Sequence, residues 1–357
     1  MGITLARTAS PIGRSIAQLR NRTVGGTCHG CSAVDEDSTP GRAERAAATM
    51  SVLVDPDFTA PALRQAVYDG DLLVLTRLEA VRDFAQHARE QLARLFEPHD
   101  PEYAHEHFGR EEMASRLGAW KPSFIHSERS KQLVCRIIGE AGLPLAGTHY
   151  DVPKPRTSFP VGHLTTGIAY AFPWHRDTWY AAPRQQINWW LPVFAVRDDN
   201  AMSFDLRNFG RSVPNTSATF DYYQNNLDRL STASQVTRER QSRPAALDHD
   251  PSAECVILPA PGAILLFSGA QLHRSIPNTS GRARYSVDFR TVDVEDVMSS
   301  RGAPSVDSYC TGTAIRDFRN AADASPFDEQ TVTRLYGAPP PGSMLVFSAA
   351  EAPPGPR

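Results

Sequence analysis

Cysteine is scarce in this chain, five in 357 residues, and an odd number scattered over that length builds no disulfide framework. The thiols are read as reduced. No apolar run approaches the roughly 20 residues that a membrane-spanning helix needs. An excess of either charge is also missing: Lys plus Arg number 37 against 40 Asp plus Glu, a formal charge of -3, which supplies no basic field for nucleic acid. The expectation is a soluble, cytoplasmic protein whose partner is a small molecule rather than nucleic acid or a membrane, with oligomeric state left open. Aromatic residues are absent from the first 50 positions, and acidic residues are absent before Asp35. That stretch, rich in Arg, Ser, Thr, Gly and Ala, cannot offset the entropy of ordering and is expected to be a disordered tail over 1–50. An acid-poor transit peptide, or a true start at Met50, are the alternatives. Cys28 and Cys31 have metal-like spacing, but no second pair follows to complete a four-ligand zinc site.

Hydrophobic residues make up 41% of the chain, enough to bury a substantial core in one large domain. Its expected span is 51–337, with a polar, lid-like insertion over 197–254 and a poorly ordered, Pro-rich tail over 338–357. Leu63 and Val67, then Val81, Phe84, Ala85, Ala88, Leu92 and Phe96, recur at helical spacing, with Leu72–Leu75 a short strand between them. Further helices are predicted over Glu111–Leu117 and Ser127–Ala141. His105 and His107 lie two apart, diverge on a helix, and are expected to be exposed. From Gly147 the period becomes two, and Thr148–Val152, Leu164–Phe172 and Gln185–Phe194 read as strands. The last sends Gln186, Asn188 and Trp190 to one face and Ile187, Trp189 and Leu191 to the other. Val292–Val297 is expected to continue the sheet edge. The fold class is therefore mainly β with a helical layer, an α+β arrangement.

The chemistry concentrates in Phe172-Pro-Trp-His175-Arg-Asp177-Thr-Trp-Tyr180. In an extended strand an imidazole and a carboxylate two apart share a face and can grip one metal ion. A third ligand is offered by the apolar strand that leaves the Pro261-Gly262 turn and delivers His273. Two histidines and one carboxylate, leaving coordination positions open, form the facial triad of non-haem Fe(II) oxygenases. Next comes a turn and an alternating strand that places Arg284, Ser286, Asp288 and Arg290 on one face. An arginine there can fork onto the distal carboxylate of 2-oxoglutarate. Trp179 and Tyr180 follow the ligands directly and are candidate pocket walls. Arg156 is either a contact for a substrate anion or a solvated loop residue, and Asn188 is a candidate hydrogen-bond partner of the cosubstrate.

His175-x-Asp177, the strand Pro261-Gly-Ala-Ile-Leu-Leu-Phe-Ser, His273, and Arg284 eleven positions later together resemble the Fe(II)/2-oxoglutarate dioxygenases, and among them the phytanoyl-CoA dioxygenase-like group. The resemblance runs from Asp151 to Arg290. It implies a double-stranded β-helix (jelly-roll, cupin-like) core. It also implies Fe(II) held by His175, Asp177 and His273, 2-oxoglutarate as cosubstrate, and O2 as oxidant. Arg284, at the family's spacing, takes the distal carboxylate, while Arg290 is left for substrate or for a partner such as Asp288 or Asp293. The expected activity is oxidation, most often hydroxylation, of a small metabolite such as an amino acid or a natural-product intermediate. Desaturation, cyclisation and epimerisation remain open. Halogenation is disfavoured because Asp177 fills the position that a halide would need. A zinc enzyme or a non-catalytic metal- or ligand-binding barrel is the competing class, since the same donors suit zinc.

Overall fold

The computed structural model describes residues 50–161, 163–164, 169, 171–230, 243–250 and 254–343, and the backbone of Thr4–Arg7 and Ile16–Ala17. Its first half is β1 (Val52–Val54), α1 (Ala60–Tyr68), β2 (Leu72–Leu75), α2 (Glu79–Phe96), α3 (Arg110–His126) and α4 (Glu128–Glu140). Helix α2 buries Val81, Phe84, Ala85, Ala88, Leu92 and Phe96, the stripe that the helical spacing marks out. Helix α3 is longer than expected: Met113, Leu117, Trp120 and Phe124 carry one buried stripe past Pro122. Helix α4 starts where Ser127 accepts a hydrogen bond from the Ser130 N–H, satisfying a donor that the helix itself leaves unpaired.

The β core follows as β3 (Thr148–Tyr150), β4 (Lys154–Ser158), β5 (Ile187–Pro192), β6 (Met202–Asp205), helix α5 (Tyr222–Leu230), β7 (Glu254–Leu258), β8 (Ile264–Ser268), β9 (Leu272–Ser275), β10 (Arg284–Asp293), helix α6 (Val294–Met298), β11 (Arg319–Asn320) and helix α7 (Glu329–Tyr336). The larger sheet runs β11-β3-β10-β5-β8-β2-β1, with β4 also paired to β10. The smaller runs β9-β6-β7 and continues through Thr4–Arg7 on the outer edge of β7. The two sheets face each other: Leu72, Val74, Trp190, Leu265 and Phe267 of the larger pack against Met202, Phe204 and Ile257 of the smaller. Phe204 and Phe267 meet edge to face at 5.1 Å. The opposite face of the larger sheet buries Ile187, Trp189 and Leu191 against the helical layer. Thus β5 divides its side chains between two cores in the predicted parity, each large apolar side chain contributing roughly 1.5–3 kcal/mol. This is a β core of facing sheets with helices on one side, the double-stranded β-helix arrangement.

Four local expectations are corrected. His175 is extended and bridges antiparallel to His273, but Asp177 opens a one-turn 3-10 helix, Asp177–Tyr180, so the metal motif turns where a strand was expected. Strand β10 ends at Asp293, whose side chain accepts from the Asp296 N–H and starts α6, so Val292–Val297 does not continue the edge. Strand β5 is shorter than Gln185–Phe194. His105 is half-buried, its ring 6.2 Å from Phe159 and 5.6 Å from His163, rather than exposed. Part of the predicted Leu164–Phe172 strand, Cys28, Cys31 and most of both expected tails lie outside the described residues. No helix among the described residues is long and apolar enough to cross a membrane.

Candidate active site

His175 and His273 come together because their backbones bridge, each N–H donating to the other's carbonyl at 2.9 Å. Their rings stand 4.2 Å apart. Each Nδ1 sits 2.8 Å from a carbonyl, that of Pro173 for His175 and that of Gln271 for His273. A carbonyl only accepts, so Nδ1 carries the proton and Nε2 presents its lone pair. Both Nε2 atoms face Asp177 Oδ1, at 3.6 Å from His175 and 4.0 Å from His273. One donor atom from each residue lies within 4.8 Å of the others. Asp177 Oδ2 points away and accepts from Gln186 Nε2 at 2.9 Å and Asn188 Nδ2 at 2.7 Å, which leaves Oδ1 as the free ligand atom. Burial pushes the Asp177 carboxyl up, but its neighbours His175, His273 and Arg290 together outweigh it and hold the group well below the usual carboxylate range. Burial, and His175 beside it, push His273 down to about 4, so it is neutral at pH 7, the form that binds metals.

Arg176, between the ligands, points the other way and is buried. Its guanidinium donates to the carbonyls of Ala270 and Asn208 at 2.6 Å and of Arg211 at 2.8 Å, tying the motif to the chain on both sides. Gly269 lets that chain approach closely, since a side chain there would begin 3.3 Å from Gln186 and 3.6 Å from Asp177.

The ligands open onto a cavity of about 740 Å3. Residues of three strands line it, among them Asn188 and Trp190 from β5, Arg284, Asp288 and Arg290 from β10, and Lys154 and Arg156 from β4. Arg284 is buried, its guanidinium 5.7 Å from the Trp190 ring, and it forms no hydrogen bond or ion pair with a described residue. Burial pushes it down to about 10, which leaves it charged at neutral pH. The hydroxyl of Ser286, two residues along the same face, is also buried without a partner. Arg290 differs: Asp151 lies 2.9 Å and Asp288 3.5 Å away, and their charges raise its pKa against the pull of burial. Arg156 forks onto Asp288 at 2.6 and 3.2 Å.

Most of the predicted site residues therefore meet around one cavity: His175, Asp177, His273, Arg284, Asn188, Arg290, Arg156 and Tyr180. Two roles change and one is extended. Trp179 is fully buried behind the motif and donates to Asp307 at 2.9 Å, so it walls no pocket; the 3-10 turn sends it opposite to Tyr180. Asn188 spends its amide N–H on Asp177 rather than on a cosubstrate. Arg290 keeps one of its expected partners, Asp288, and gains Asp151. The sequence reasoning missed Gln186 as a support of Asp177, although its parity with Asn188 was visible, and missed Asp151, Lys154 and Lys121 on the cavity wall. Phe220, Tyr222, Asn225, Asn226 and Asp228, around the start of α5 in the polar insertion, also line it.

No family model matches this chain, and no curated protein matches it. Among solved structures, EvdO2 from Micromonospora carbonacea var. aurantiaca is 15% identical, covering 69% of this chain and 92% of that one, with a TM-score of 0.40. A non-heme monooxygenase, ThoJ, in its apo form is 14% identical over 72% and 87% of the two chains, with a TM-score of 0.38. The epimerase SnoN, in complex with Fe3+, alpha ketoglutarate and nogalamycin RO, is 13% identical over 65% and 84%, with a TM-score of 0.36. These likenesses are loose, and the geometry of the site itself carries the functional reading.

Proposed function

We propose that this protein is an Fe(II)- and 2-oxoglutarate-dependent oxygenase that hydroxylates a small metabolite, and that it stands with the phytanoyl-CoA dioxygenase-like group. The observation that carries the reading is the pairing of two features in one cavity: a cluster of two histidines and one carboxylate, and Arg284, a buried cation that no described carboxylate neutralises. The donor set fits iron, with both Nε2 lone pairs and one carboxylate oxygen converging. It also fits zinc. A zinc hydrolase, however, has no use for a buried, unpaired arginine on the cavity wall, whereas the distal carboxylate of a keto diacid would complete it.

When bound, iron, 2-oxoglutarate and O2 supply the oxidising chemistry, and the cosubstrate leaves as succinate and CO2. The chain's own residues position and shield. The Pro173 and Gln271 carbonyls fix the two imidazoles, while Gln186 and Asn188 hold Asp177 so that Oδ1 faces the histidines. Arg284 anchors the far carboxylate, with Trp190, Phe267 and Met202 excluding water around it. Phe172, Tyr180 and Phe220 form apolar walls for the substrate, Tyr180 being fixed by its hydroxyl on the Pro244 carbonyl at 2.8 Å. The test is succinate release from 2-oxoglutarate with Fe(II) and ascorbate. Wild-type turnover in an Asp177→Ala protein would falsify the assignment, and activity with zinc but not iron would favour the hydrolase.

A further inference from the structure

We propose that Asp307 is a positioning residue for the metal site, acting through Arg176 and Trp179 to hold the turn from which Asp177 presents Oδ1. The inference rests on the reading of His175, Asp177 and His273 as metal ligands, and adds the part of the chain that fixes them from outside the cavity.

A single 3-10 turn has little stability of its own, because its hydrogen-bond geometry is poor and its side chains eclipse. The turn Asp177–Tyr180 also ends at Ala181 with a φ of 64°, a left-handed conformation that is unfavourable for any residue with a side chain. Yet Asp177 Oδ1 has to stay within reach of two imidazoles. Gln186 and Asn188 grip Asp177 from the cavity side, but they touch only Oδ2. They do not set the backbone beneath it.

That backbone is held from the opposite side by the chain between α6 and β11. The Oδ1 atom of Asp307 accepts from the Trp179 indole at 2.9 Å, while its Oδ2 accepts from the Val213 N–H at 3.0 Å and stands 3.3 Å from Arg176 Nε. Arg176 lies between the two ligands in extended conformation, so its side chain leaves the chain opposite to theirs. Its side chain and that of Asp307 are each 1% exposed, and a guanidinium so buried is costly without a countercharge. The next residue, Ser308, donates to the Thr178 carbonyl at 2.6 Å, and the Ala314 N–H donates to the Ala181 carbonyl at 2.9 Å. Residues 176, 178, 179 and 181 are thus all fastened to one segment.

The third ligand is reached through the same arginine. Arg176 donates to the Ala270 carbonyl at 2.6 Å, and the neighbouring Gln271 carbonyl is the one that fixes His273 Nδ1. By orienting one guanidinium, Asp307 therefore steadies both of the segments that carry the ligands.

The test titrates the full chain with Mn(II) by calorimetry, at a temperature where circular dichroism shows each variant folded. Asp307→Asn keeps an acceptor for Trp179 but removes the charge that faces Arg176, whereas Ser308→Ala removes only the bond to Thr178. The first should weaken Mn(II) binding roughly tenfold or more, and the second roughly threefold or more. Trp120→Phe is the control: it loses an indole bond of 2.9 Å to Gln91 in the helical layer, so it should lose thermal stability and keep wild-type affinity. Wild-type affinity in folded Asp307→Asn overturns the proposal. So does an equal loss in Trp120→Phe, because affinity would then track stability alone. If Asp307→Asn does not fold, Ser308→Ala decides by the same measure. A wild-type chain that binds no Mn(II) overturns the metal-site reading as well, an outcome distinct from a wild type that binds and variants that bind equally well.

Discussion

Arg284→Ala removes a buried guanidinium that no described carboxylate neutralises, and its effect can be sized. A charge-assisted, two-pronged contact to a carboxylate is worth about 1.5–3 kcal/mol, and each tenfold in affinity is about 1.4 kcal/mol. The apparent KM for 2-oxoglutarate should therefore rise roughly 10- to 150-fold. Turnover at saturating cosubstrate should fall less, because the metal ligands are untouched. Stability should hold, since burial disfavours the charge, the sense in which its pKa is lowered to about 10, and no ion pair is broken. Arg290→Ala is the contrasting change. It strips partners from buried Asp151 and half-buried Asp288, and breaking a buried pair of this kind costs about 3–5 kcal/mol. That variant should lose thermal stability sharply and change KM less. Succinate release measured against 2-oxoglutarate concentration, alongside thermal denaturation, reads both variants. If Arg290→Ala raises KM while Arg284→Ala leaves it within about twofold, the carboxylate anchor has been misassigned and the two roles exchange.

Gln186→Leu and Asn188→Leu should each lower metal affinity by roughly 10- to 100-fold, because they release the Oδ2 atom that orients Asp177; calorimetry with Mn(II) reads this, and unchanged affinity in both would refute the role. Trp179→Phe leaves the buried Asp307 Oδ1 without its donor and should cost about 1–3 kcal/mol of stability with KM unchanged for cosubstrate and substrate; a KM effect without a stability effect would return Trp179 to the pocket wall. Lys121→Met should alter the pH dependence of stability. The native value near 7 lies below the ordinary 10.5, so between the two the unfolded chain binds more protons and the wild type gains stability as pH rises. The wild type should therefore gain on the variant from pH 7 to 9 in urea titrations, and a gap constant with pH would show that Lys121 is not buried in a positive setting.

Periodicity alone made several features legible. The α2 stripe, the two-faced character of β5, and the shared face of Arg284, Ser286, Asp288 and Arg290 all follow from the fixed repeat of a helix or a strand. The candidate ligand trio was legible from residue type and spacing instead, since Asp177 lies on a 3-10 turn rather than in a strand. What the sequence left open depends on contacts between distant segments. Arg156 and Asp288 are 132 positions apart, and Arg290 and Asp151 are 139; only the pairing of β10 with β4 and its neighbours brings them together on one wall. The role of Asn188 changed because Asp177 sits on a 3-10 turn that brings Oδ2 to β5, and the same turn put Trp179 behind the site. Residue identity and local period determined which groups could bind a metal and a diacid. Sheet register and one turn, fixed by packing across the whole chain, decided which of them face the cavity together and which are spent on each other.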